Sequence, residues 1–142
     1  FEKTQWIAEK AFNLIPYNNF DEFTLKMIEI YSKTESKNHL IILNSHPELV
    51  VEKKLTLESK QEQSGANLNQ CSDKEFNEFK KLNINYKNKF GFPFIIAVKG
   101  KNRMEILESF RKRINNTIET EFEEAKEQVK KIALLRIKDI IK

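Results

Sequence analysis

The run Lys89-Phe90-Gly91-Phe92-Pro93-Phe94-Ile95-Ile96-Ala97-Val98-Lys99-Gly100 is the longest apolar stretch of the chain and holds two of its three glycines. Gly91 and Pro93 sit badly inside a helix, and the aromatic and β-branched residues after them suit an extended backbone. The run therefore predicts irregular or strand-like backbone inside the core, flanked by turns. Buried peptide groups need hydrogen-bonding partners. A polar ligand is one such partner, and neighbouring protein groups in a plain core segment are the other.

The chain around that run is built for helices. Its 142 residues, 39% of them hydrophobic, make one domain with a real core. A charged fraction of 32% with only three glycines and three prolines leaves too few turn residues for many short strands. The expected class is all-α, a single-domain bundle of about seven or eight helices with an irregular buried segment at 90–98. The net charge of +4 is dispersed, lysine alternating with glutamate, which reads as a solvated surface. Cys71 is the single cysteine and forms neither an internal disulfide nor a metal site, in keeping with a reducing compartment. No window reaches the roughly 18 apolar residues of a membrane span, and Phe1-Glu2-Lys3-Thr4 lacks the apolar core of a signal peptide. A soluble, cytoplasmic protein is expected, with a peroxisomal address as the eukaryotic alternative, although Asp139-Ile140-Ile141-Lys142 is not a Ser-Lys-Leu signal. The start at Phe1 suggests that residues precede it.

Along the chain, residues 4–14 read as a first helix carrying Trp6, Ile7, Phe12 and Leu14, closed by Pro16. A second is expected from Asp21, as N-cap, to Ser32, with Phe23, Met27, Ile30 and Tyr31 on one stripe. Ser36 is expected to cap a third helix, which leads into His46-Pro47 and a new helical turn, and Thr56 to open a fourth through about Asn67. Ser72-Asp73-Lys74-Glu75 is a capping box opening a helix whose core face is Phe76, Phe79, Leu82 or Asn83, Tyr86 and Phe90. Asn102 with Glu105 caps the next, with Ile106, Leu107, Phe110 and Ile114 buried. The last runs from Thr117, with Glu119, Glu121, Glu123 and Glu124 near its start, as the helix dipole favours. Its stripe is Phe122, Ala125, Val129, Ile132, Arg136 and Ile140.

Arg136 thus stands where the pattern asks for a hydrophobe, and a buried arginine must be paired. Either it forms an internal ion pair or keeps its head in water, or its fork grips an anionic ligand. His46 is stiffened by Pro47 and is a good mount for an acid or base near neutrality, whereas His39 reads as a packing or surface residue. Ser59, Glu62, Gln63 and Ala66 share one helical face, either exposed to solvent or facing a heteroatom-rich small molecule.

Taken in order and at their spacings, His46-Pro47-Glu48-Leu49, Ser59-x-x-Glu62-Gln63-x-Gly65-Ala66, the Phe90–Ala97 run and the Arg136 helix resemble the 2-oxo-4-hydroxy-4-carboxy-5-ureidoimidazoline (OHCU) decarboxylases of urate degradation. The similarity begins near Glu2-x-x-x-Trp6-Ile7-Ala8-Glu9 and covers nearly the whole chain. It departs at Val50-Val51, where members commonly carry glycine. The resemblance implies an all-α fold, often a homodimer, with no metal and no organic cofactor. It implies a carboxy-lyase with His46 as proton donor, Pro47 beside it, and Glu62 and Arg136 in the catalytic group. Pro47, Ser59, Glu62, Gln63, Phe94, Ile95, Ile96, Ala97, Val98 and Arg136 would bind the substrate, and (S)-allantoin would be the product.

Decarboxylation next to nitrogen and carbonyl groups leaves charge that the substrate ring itself can delocalise, so the protein has to orient, desolvate and protonate. On this reading Arg136 and the backbone N–H groups of 94–98 hold the developing charge, and His46 delivers the proton to one face. The rival is a basic helical module for nucleic acid or a partner protein, resting on Lys99, Lys101, Arg103, Arg111, Lys112 and Arg113. It requires those side chains to form an exposed basic face.

Overall fold

The computed structural model describes residues 5–12, 20–49, 62–63 and 72–140, and among them it is all helix and loop, without a β-strand. Six helices are described: α1 (Trp6–Phe12), α2 (Phe20–Ser32), α3 (Ser36–Ser45), α4 (Asp73–Phe90), α5 (Arg103–Arg113) and α6 (Ile118–Ile140). Seven or eight were expected. The helix expected from Thr56 lies outside the described residues apart from Glu62 and Gln63, as do Val50, Val51, Ser59 and Ala66.

Local chemistry accounts for most boundaries. Ser72 and Glu75 exchange side-chain and backbone hydrogen bonds at the start of α4, and Asn102 and Glu105 do the same for α5. At α6 the Thr120 N–H donates to Thr117 Oγ1 at 3.2 Å. Two caps differ from expectation. Asp21 lies inside the first turn of α2 rather than before it, where its charge faces the positive end of the helix. Ser36 is the first residue of α3, and Glu35 holds the cap position without a side-chain bond.

The long helix α6 is the centre of the bundle: α2, α3 and α4 pack against it, while α1 packs on α2 and α5 on α4. Its buried face is Glu121, Ala125, Val129, Ile132 and Ala133. Ile140, expected on that stripe, is 75% exposed, and Phe12 of α1 is also exposed. Inside lies an aromatic cluster in which Phe94 stacks on Phe110 at 3.9 Å and Tyr86 presents its edge to Phe92, Phe94 and Phe110.

The expected irregular segment is present. Gly91 closes α4 at φ 82° and Gly100 turns the chain at φ 79°, conformations that favour glycine. Between them Phe92 to Val98 are all buried in non-helical, strandless backbone. Side chains serve its peptide groups. Asn44 Nδ2 donates to the Gly91 carbonyl at 3.2 Å, Arg113 Nη1 to the Ile95 carbonyl at 2.8 Å, and the Ala97 N–H donates to Gln128 Oε1 at 2.9 Å.

Candidate active site

Helix α3 stops at Ser45 because Pro47 biases the residue before it away from helical backbone. His46 has φ −78° and ψ 144°, and its N–H donates to the Leu43 carbonyl at 3.2 Å. The imidazole is thereby directed inward, 7% exposed. The helical turn expected after Pro47 is not formed across 46–49. Those carbonyls bond to side-chain amides instead: Gln63 Nε2 lies 3.4 Å from the Glu48 oxygen and Asn83 Nδ2 lies 2.8 Å from that of Leu49.

Arg136 forms the ion pair that one of its readings expected, and its partner is another residue singled out in the sequence. Nε donates to Glu62 Oε1 at 2.8 Å and Nη2 to Oε2 at 3.3 Å, the two-pronged geometry of a guanidinium on a carboxylate. Residues 74 positions apart in the chain are thus brought side by side.

His46, Pro47, Glu62, Gln63, Phe94, Ile95, Ile96, Val98 and Arg136 converge on one hollow of about 340 Å³ of atom-free space, its open mouth included. Leu49 and Ile132 complete the lining and were not foreseen. Ala97 does not line it. That residue lines an adjoining hollow that shares Glu62, Val98, Ile132 and Arg136 with the first, and its N–H is already bonded to Gln128. Of the N–H groups of 94–98 expected to hold the developing charge, that of Ala97 is given to Gln128. His39 is a packing residue, 1% exposed and set edge-on to Tyr31 at 4.7 Å. Among the described residues no group of three or more His, Cys, Asp or Glu could hold a metal ion.

Sequence reasoning also missed a buried polar network behind Phe94 and Ile95. Glu121 is fully buried and accepts from Arg113 Nε at 2.6 Å, the Tyr86 hydroxyl at 2.7 Å and Asn116 Nδ2 at 3.0 Å. Burial and the bond to this carboxylate push the Tyr86 hydroxyl far above its usual range. The Arg113 guanidinium lies 4.4 Å from the Phe94 ring centre. The signal was hidden because Arg113 follows Arg111-Lys112 and Glu121 sits among other glutamates.

The six basic side chains on which the rival reading rests do not form one free basic face: Arg113 is buried, and four of the six are paired with carboxylates. Lys99 pairs with Asp139, Arg103 with Glu75, Arg111 with Glu78 and Arg113 with Glu121. The Arg103 and Arg111 bonds hold Glu75 and Glu78 below the usual carboxylate range, in Glu75 behind its bonds to Ser72. No described helix is long and apolar enough to cross a membrane.

The chain is similar to known proteins along nearly its whole length. The model of the OHCU decarboxylase family matches residues 1–138. The chain belongs to that family. It is 39% identical to the uric acid degradation bifunctional protein of Bacillus sp. (strain TB-90) over 142 residues, which is all of this chain and 28% of that protein. It is 33% identical over 137 residues to the 2-oxo-4-hydroxy-4-carboxy-5-ureidoimidazoline decarboxylase of Haloferax volcanii, covering 96% of this chain and 82% of that one. Among solved structures, an (S)-allantoin synthase matches with a TM-score of 0.74 at 28% identity, over 98% of this chain and 46% of the other. The chain thus spans about a quarter of the bacillus relative and most of the archaeal one.

Proposed function

We propose that this member of the OHCU decarboxylase family removes carbon dioxide from 2-oxo-4-hydroxy-4-carboxy-5-ureidoimidazoline and releases (S)-allantoin, without a metal or organic cofactor. The observation that carries the reading is the meeting of His46, Glu62 and Arg136 on one small hollow walled by the Phe94–Val98 segment. The ring that loses the carboxylate spreads the developing charge over its own nitrogen and carbonyl groups, so the site has only to hold, desolvate and protonate it. Arg136 meets the ring oxygens by exchanging part of its contact with Glu62, a substitution of one oxygen pair for another. Glu62 and Gln63 read the ureido and ring nitrogens and fix which face meets the imidazole. His46 then gives its proton to that face. The homodimer and the cytoplasmic setting belong to the same proposal.

The test is to supply freshly oxidised and hydrated urate and follow the optical sign of the allantoin. (S)-allantoin should form well above the spontaneous rate. His46→Asn should lose about 10² to 10⁴-fold in turnover, the usual contribution of a positioned acid. Arg136→Lys should recover little, since a point charge lacks the fork. Racemic allantoin at the spontaneous rate would sink the proposal.

A further inference from the structure

We infer that Arg113, oriented by Glu121, is a positioning residue for the reaction: it fixes the part of the hollow's wall made by Phe94 and Ile95. This rests on reading the hollow as the decarboxylase site. A segment without sheet neighbours has no ladder to set where each residue falls. Here the register is set from outside, and Arg113 reaches the wall twice, by the bond from Nη1 to the Ile95 carbonyl and by the guanidinium lying against the Phe94 ring. Both of those residues face the hollow, whereas Arg113 does not line it.

The chemistry of the network favours positioning over stabilisation. Arg113 ends α5, where a guanidinium ordinarily turns out to water, yet it is 7% exposed. Its Nε and Nη2 lie 2.6 and 2.5 Å from Glu121 Oε1. The same carboxylate is held by the Tyr86 hydroxyl and Asn116, which fixes the plane of the fork and so the direction of Nη1. A buried ion pair adds little stability that well-packed apolar residues would not supply. What a rigid planar fork supplies instead is direction. A wall displaced by about 1 Å is enough to cost on the order of 10²-fold in rate.

The experiment compares the wild-type chain with Arg113→Lys and with the double variant Arg113→Met/Glu121→Gln, which removes both charges together. Each is assayed for kcat and KM on freshly prepared substrate, and for amide hydrogen exchange across the chain. Lysine keeps a charge opposite Glu121 but cannot serve that carboxylate and the Ile95 carbonyl with the same geometry. The expected result is faster exchange confined to residues 94–98, with kcat down about tenfold or more and KM changed less than about threefold. Wild-type kinetics in either folded variant overturn the inference, and so does a kcat loss without a change in exchange at 94–98. Should the double variant fail to fold, Arg113→Lys decides by the same criteria. Absence of turnover in the wild-type chain overturns the decarboxylase reading alone. The positioning claim is then decided by exchange, upheld by a change confined to 94–98 and overturned by any other pattern.

Discussion

The two sides of the hollow are held by opposite means. The His46 loop is fastened by neutral amides, Gln63 to Glu48 and Asn83 to Leu49. The Phe94–Ile95 wall is fastened by a buried charge pair, Arg113 on Glu121. A neutral tie, when cut, leaves one orphaned carbonyl. A cut charge tie leaves an ion in the core, so the same fold contains one side that loosens by degrees and one that fails abruptly.

The sharpest way to break that contrast is Arg113→Met alone, which strands the Glu121 carboxylate. It should cost about 3–5 kcal/mol in denaturant unfolding. Adding Glu121→Gln should restore most of the loss, and an equal loss in single and double variants would erase the distinction. On the amide side, Asn83→Leu should cost about 1–3 kcal/mol for the bare Leu49 carbonyl. The low end is expected, because Asn83 Oδ1 is itself buried with no hydrogen-bond partner among the described residues and is removed by the change. Turnover should fall with it as the His46 loop drifts, and an unchanged kcat would show that the loop is held without Asn83.

The smallest effect is set by pH and touches the loop side only. His39 lies on α3, the helix that carries His46, and burial pushes it below the usual histidine range; Lys126 adds to this, while Glu123 and the carbonyls of Tyr31 and Thr34 oppose it. Above about pH 6.5 the ring is neutral folded or unfolded and costs nothing. Below that value the unfolded chain takes up a proton that the folded one resists, so stability falls as pH falls toward the depressed value. His39→Phe should flatten the thermal midpoint between pH 7.5 and 5.5 relative to wild type, and an identical slope in both proteins would place the titration elsewhere.

How much of this was legible depended on the range over which each residue acts. The Ser72–Glu75 and Asn102–Glu105 caps act within four residues and were read directly. The Phe90–Ala97 run and His46-Pro47 were also visible, since glycine, proline and the pre-proline residue carry their backbone preferences with them. Arg136 stood out because its neighbours are apolar. Arg113 and Glu121 did not, because Arg113 ends a basic run and Glu121 sits among other glutamates, and only the tertiary structure turns them inward. Ile140 followed the helical period of α6 yet is exposed: periodicity predicts a face, not that another element covers it. Ala97 was placed with its neighbours on the substrate side, yet Phe94, Ile95, Ile96 and Val98 line the hollow while Ala97 lines the adjoining one, an irregular order that no simple period in the run announces.

Helix α6 touches the buried segment and the hollow through Gln128, Ile132 and Arg136, each four residues after the last. One such step advances about 6 Å along a helix axis, so the three side chains work as a gauge of about 12 Å against which the non-helical backbone is measured out. A gauge of this kind tolerates exchange of letters far better than a change in their number. One residue inserted between Gln128 and Arg136 would swing the guanidinium roughly 100° around the axis while its graduation mark at Ala97 stayed in place.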